Sequence, residues 1–168
     1  MKNIKNINLF LMNRFKPLQT QYVQGFFEPE RATSLFEHLR TTVSWEDGIR
    51  SRKGFTRKAK PLDIEENKRV HDFILEAVQN ICSHDYAILG VYLNYYVDGN
   101  MWTPSHSHPK QHQIVISLGA TRKLIVGKKT FNMSNGDIIL FGGSAHEVPK
   151  EPEIKDGRIS IATFMVPI

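Results

Sequence analysis

One cysteine, Cys82, stands among the 168 residues. A lone thiol excludes a disulfide scaffold and any cysteine-based zinc cluster, and it fits a reducing, cytoplasmic compartment. No apolar run approaches the roughly 18 residues that a membrane span needs, so no membrane association is expected. The apolar stretch from Ile7 to Met12 is interrupted by Asn8 and followed by Arg14 and Lys16, with no small-residue cleavage site. It reads as an N-terminal arm over residues 1–20 and not as a signal peptide. No internal repeat, low-complexity tract or linker divides the chain. Acidic side chains are the scarcer charge, 17 Asp and Glu against 22 Lys and Arg, for a net charge of +5.

What is present suits one globular domain, 1–168, with a monomer as the expected state. Hydrophobic residues make up 40% and charged residues 23%, which is too apolar for a disordered chain. The positive surplus is compatible with a nucleic acid or another anionic ligand, and equally with solubility alone. It is concentrated: Arg50, Arg52, Lys53, Arg57, Lys58 and Lys60 fall within eleven residues, a segment suited to face phosphates.

The order of elements is helical first and β-rich second. Residues 21–27 read as a short strand. Glu28-Pro29-Glu30 has the signature of a helix start, and Ala32, Leu35, Phe36 and Leu39 continue it as an apolar stripe. Residues 46–62 read as an exposed loop or ribbon. A second helix is expected from Ile64 or Glu65 to Ile81, with Val70, Phe73, Ile74, Ala77, Val78 and Ile81 on one face. Residues 21–82 thus form a helical and basic part that would face the substrate. From 83 to 168 the chain carries short β-branched and aromatic runs, punctuated by Asp98-Gly99-Asn100, Asn135-Gly136, Gly142-Gly143 and Asp156-Gly157. That pattern indicates an antiparallel sandwich or barrel. The expected fold class is α+β, an antiparallel β core with the N-terminal helices packed on the sheet.

Four of the seven histidines lie between 106 and 146: His106, His108, His112 and His146. Alternate residues of an extended chain share a face, so His106 and His108 can reach one ion together. A third ligand must come from another strand, and His146, after the Gly-Gly turn, is the natural candidate. Three ligands on one face of an octahedral ion leave positions open for substrate and oxygen. A lone H-x-H can equally be surface decoration.

The segment NYYVDGNMWTPSHSHPKQHQIVISLGATRKLIV resembles the core of the AlkB-like Fe(II)- and 2-oxoglutarate-dependent dioxygenases. The corresponding landmarks are Asn94-Tyr95-Tyr96, Asp98-Gly99, His106-Ser107-His108 and Ser117 to Arg122. NGDIILFGGSAHEVPK and GRISIATF resemble the end of that family's core, and YVQGFFEPERATSLFEHLRTTVSW resembles its N-terminal part. The resemblance runs over residues 21–167 in the right order. It implies a jelly-roll fold, the cofactors Fe(II), 2-oxoglutarate and O2, and oxidative demethylation of a nucleic-acid base, as in DNA repair. It implies His106, His108 and His146 as metal ligands, and Arg158 as a catalytic-site arginine that holds 2-oxoglutarate. Two positions depart from the family: His108 stands where a carboxylate is expected, and Phe164 where a second arginine is usual.

The residue chemistry agrees with these roles. The Arg158 guanidinium is a planar fork that matches a carboxylate, though a surface ion pair with Asp156 or Glu153 would also use it. Ser160 would share its face. Asn94 and Tyr96 alternate along one strand and can bind the same acid, or simply fill the strand. Arg50, Arg52, Lys53, Arg57 and Lys58 would hold a DNA or RNA backbone, with Trp102 stacking on a base or packing in the core. Other readings stay open: a catalytically impaired nucleic-acid- or metal-binding relative, an oxygenase acting on a nucleotide, protein or small molecule, and a cupin-like site that also draws on His112.

Overall fold

The structure, a computed structural model, describes residues 18–168 apart from 49, 52 and 53; at 50, 51, 54, 55 and 64 only the backbone is described. Strand β1 (Gln21–Val23) leads into helix α1 (Pro29–Thr42). Pro29 opens that helix, where its missing N–H costs nothing and its fixed φ suits the first turn. The ribbon β2 (Glu46–Asp47), β3 (Arg50–Ser51), β4 (Gly54–Phe55) and β5 (Lys58–Leu62) follows.

The second helix starts later than the periodicity alone predicts. Asp63 caps a 3-10 turn, Ile64–Glu66, by accepting from Glu65 N–H at 3.0 Å. Asn67 then breaks the helical path and caps α2 (Lys68–Ile81) by accepting from Val70 N–H at 3.2 Å. Short polar side chains that compete for backbone donors set this boundary. The stripe itself holds: Val70, Phe73, Ile74, Ala77 and Ile81 are all buried.

The β half contains β6 (Tyr86–Tyr96), β7 (Thr103–His106), β8 (His112–Gly119), β9 (Arg122–Val126), β10 (Lys129–Met133), β11 (Ile138–Phe141), β12 (His146–Val148) and β13 (Arg158–Pro167). Seven strands form a large sheet in the order β1-β11-β8-β13-β6-β5-β2, and four form a smaller one, β10-β9-β12-β7. Among the described residues every pairing is antiparallel. Mostly β structure with two helices and a jelly-roll core agrees with the α+β expectation.

The large sheet has a helix-covered face and a face turned to the smaller sheet. Ile114, Ile116 and Leu118 of β8 and Ile159 and Ile161 of β13 pack with both helices in the main core. The alternate residues Val115 and Ala162 belong to a second core between the sheets, with Leu124, Val126 and Val148. The Asp98–Gly99 turn is clamped against the chain near Glu151. A Cβ at Gly99 would lie 1.7 Å from the Glu151 carbonyl oxygen, so only glycine fits there. Fully buried Arg122 holds the same junction, donating to Glu151 at 3.0 Å and to the carbonyls of Asp98, Met101 and Pro149.

Candidate metal and cosubstrate site

Strands β7 and β12 pair so that His106 lies directly opposite His146. His108 stands two residues past the end of β7 and turns back to them. The three side chains each offer a nitrogen, and these atoms lie within 4.8 Å of one another. Their surroundings fix which nitrogen is offered. His106 Nδ1 sits 2.8 Å from the Pro104 carbonyl and His146 Nδ1 sits 3.0 Å from that of Ser144. A carbonyl only accepts, so both Nδ1 atoms carry the proton and both Nε2 atoms present a lone pair. Burial lowers the His146 pKa to about 4 and also lowers that of His108, which keeps these rings neutral and able to ligate. Phe141 packs on His146 at 4.9 Å and Phe164 on His108 at 4.8 Å between ring centroids. The donor set fits a divalent transition ion.

The cluster opens on a cavity of about 330 Å³ between the two sheets. Arg158, the first residue of β13, lines it and is 1% exposed. Its Nε donates to Ser117 Oγ at 2.9 Å, and its guanidinium lies 5.5 Å from the Tyr96 ring centre. Its Nη2 has no partner. Burial pulls the Arg158 pKa down to about 10, still charged at neutral pH. An unpaired cationic donor facing a cavity fits a carboxylate ligand. Neither Asp156 nor Glu153 pairs with it.

Asn94, Tyr96 and Ser160 line the same cavity. Asn94 Nδ2 reaches Ser160 Oγ at 3.4 Å, and Tyr96 Oη shares a 2.6 Å hydrogen bond with Thr103 Oγ1. Arg57 also enters the cavity, its Nε donating to Asn94 Oδ1 at 2.7 Å.

The other basic residues do not gather there. Lys58 and Lys60 lie opposite Tyr95 and Leu93 in the β5–β6 register, on the helix face of the sheet. Lys60 pairs with Glu46 at 2.7 Å. The backbone of Arg50 lies in β3, its side chain is outside the described residues, and so are Arg52 and Lys53. Trp102 is not in the cavity lining; its backbone N–H donates to the Thr56 carbonyl and Lys150 Nζ lies 5.7 Å from its ring centre. His112 does not join the metal cluster: its Nδ1 is 2.9 Å from Tyr86 Oη, so the cupin-like use of His112 is not what the fold builds. Gln113, which also lines the cavity, escapes a sequence reading because it sits inside the apolar run HQIVISLG. The signal that could have found it is the two-residue alternation that puts it on the face of Val115 and Ser117.

No protein-family model and no curated protein matches this sequence. Solved structures do match. SnoN, a non-haem α-ketoglutarate-dependent epimerase from nogalamycin biosynthesis, superposes with a TM-score of 0.72 at 10% identity over 96% of this chain and 84% of its own. HygX from Streptomyces hygroscopicus, with nickel and 2-oxoglutarate bound, gives 0.68 at 9% identity over 98% and 88%. A Pseudomonas putida prolyl-4-hydroxylase gives 0.58 at 13% identity over 89% and 92%. The fold is that of the 2-oxoglutarate- and Fe(II)-dependent oxygenases. At these identities the likeness carries the fold and does not reach the AlkB-like subfamily. Among the described residues no helix is long and apolar enough to cross a membrane.

Proposed function

We propose that the protein is a non-haem Fe(II)- and 2-oxoglutarate-dependent dioxygenase. The observation that carries this reading is the sharing of one cavity by a three-histidine cluster and a buried arginine with an unmet donor. His106, His108 and His146 would hold the iron. Arg158 would bind the distal carboxylate of 2-oxoglutarate, kept in position by Ser117, with Tyr96, Asn94 and Ser160 shaping that end. Bound iron would supply the redox chemistry that couples decarboxylation of 2-oxoglutarate by O2 to oxidation of a second substrate. With the carboxylate of the usual facial triad replaced by His108, all three protein ligands are neutral, and imidazole suits Zn, Cu and Ni as well as Fe. A cytoplasmic setting suits the single half-buried Cys82, whose thiol burial pushes up to about 11.

For the second substrate we keep the AlkB-type reading, oxidation of a nucleic-acid base, with Arg57 at the cavity as its main support. A small molecule or peptide is the second reading, favoured by the placement of Lys58 and Lys60 on the opposite face of the sheet. Two assays test this. Succinate formation from 2-oxoglutarate with Fe(II) is expected of the wild type and not of His146→Ala; no succinate from the wild type contradicts the enzyme reading. Oligonucleotide affinity that falls with salt, by roughly 0.7 to 0.9 in log-log slope per phosphate contact, supports the nucleic acid. No binding at low salt leaves the small molecule or peptide.

A further inference from the structure

We propose that Gln113 is a cosubstrate-positioning residue, whose carboxamide donates a hydrogen bond to the carboxylate next to the keto group of 2-oxoglutarate. The proposal rests on the cosubstrate reading above. Among the described residues, four buried side-chain polar atoms have no partner: Trp45 Nε1, Thr163 Oγ1, Arg158 Nη2 and Gln113 Nε2. Only Arg158 and Gln113 line the cavity. Gln113 is 2% exposed. A buried amide donor without an acceptor is rare and unfavourable, and it is retained where a ligand completes it.

The two unmet donors lie toward opposite ends of the cavity floor. Arg158 bonds to Ser117, four residues along β8 from Gln113, about 13 Å at the rise of a strand. Gln113 sits in register between Phe141 and Phe164. Those rings pack on His146 and His108, so the amide belongs to the histidine end. Between the two donors the floor is apolar, with Val115 and Ala162 opposite each other. A ligand that meets both donors needs an acceptor at each end and an aliphatic middle. An extended five-carbon diacid with a hydrogen bond at either end spans on the order of 12 Å. With one carboxylate on Arg158, the other, beside the keto group, falls at the histidine end, within the row of Gln113. Phe164 brings no donor to that row, and Gln113, its neighbour across the strand pair, does.

The test is calorimetric titration of the Co(II)-loaded full chain, without O2, with 2-oxoglutarate and with succinate, which lacks that carboxylate. Gln113→Met keeps the length and removes the donor. It is expected to weaken 2-oxoglutarate about tenfold, the usual loss for a hydrogen bond to a charged group, and to leave succinate and Co(II) affinity within about twofold. The melting temperature of metal-free Gln113→Met should equal or exceed that of the wild type, because an unmet donor has gone. Gln113→Glu, which sets a like charge against the carboxylate, should weaken 2-oxoglutarate further. Unchanged 2-oxoglutarate affinity in Gln113→Met, or an equal loss for both acids, overturns the proposal while Arg158-dependent binding keeps the cosubstrate reading. A wild type that binds no 2-oxoglutarate overturns both.

Discussion

The two faces of the large sheet are made by the same strands. Along β8, Ile114, Ile116 and Leu118 turn to the helices and are all fully buried among apolar neighbours. Gln113, Val115 and Ser117, one step out of phase, turn to the other face, where Gln113 and Val115 line the cavity. Along β13 the same alternation separates Ile159 and Ile161 from Arg158, Ser160 and Ala162. One face is packed with apolar side chains; the other carries a buried cation and a buried amide with unmet donors. A period of two therefore assigns core packing and cavity lining to alternate residues of one strand.

The largest effect expected from this division is on the helix face. Ile116→Ala removes a fully buried side chain from the main core and should cost about 2–5 kcal/mol in denaturant unfolding. Metal affinity of the folded fraction should be unchanged. A loss of metal binding without loss of stability would break the division.

Arg158→Met probes the other face. It removes a buried charge whose Nη2 is unpaired, so the midpoint of unfolding should not fall. The affinity for 2-oxoglutarate should fall by about two orders of magnitude, at the lower end of what truncating one partner of a buried charge pair does. Equal losses of stability and affinity would make Arg158 a structural residue.

His112 sharpens the comparison through pH. It is 8% exposed, and burial together with nearby His84 lowers its pKa. Tyr86 Oη is its hydrogen-bond partner. The native state favours the neutral ring, so this residue's contribution is complete above about pH 6.5, the unfolded value, and is lost as the pH falls from there toward the lowered folded pKa. Unfolding midpoints at pH 7.5 and pH 5 should differ less in His112→Gln than in the wild type. An identical pH dependence would show that His112 does not carry this linkage.

The smallest effect is the exception on the packed face. Thr163 is fully buried and its Oγ1 has no partner. Thr163→Val keeps the shape and removes the orphaned hydroxyl, and should raise stability by about 1 kcal/mol. A destabilised variant would mean that the hydroxyl is satisfied in solution.

The strongly periodic elements were legible in the sequence, and so were His106, His108, His146, Arg158, Asn94, Tyr96 and Ser160 as members of one cavity. The two-residue spacing joins His106 to His108, and the ordered motifs of the resemblance point to the others. Other features depend on pairing that a one-dimensional pattern does not contain. Strands β7 and β12, at four and three residues, are too short and polar for a periodic signal. The basic segment looked like one patch, yet the β5–β6 register turns Lys58 and Lys60 to the helix face while Arg57 enters the cavity. Gln113 was hidden because its strand is apolar on both sides and its function depends on a missing partner.

The three histidines and Arg158 are proposed to form one metal and cosubstrate site. The most direct measurement is a crystal structure of the protein with Mn(II) and 2-oxoglutarate, with anomalous scattering locating the ion. One ion is expected, bound by the Nε2 atoms of His106 and His146 and by the His108 imidazole, with the distal carboxylate of the acid on Arg158. An ion elsewhere, a His108 ring turned away from it, or an acid that leaves Arg158 unpaired would contradict a shared site.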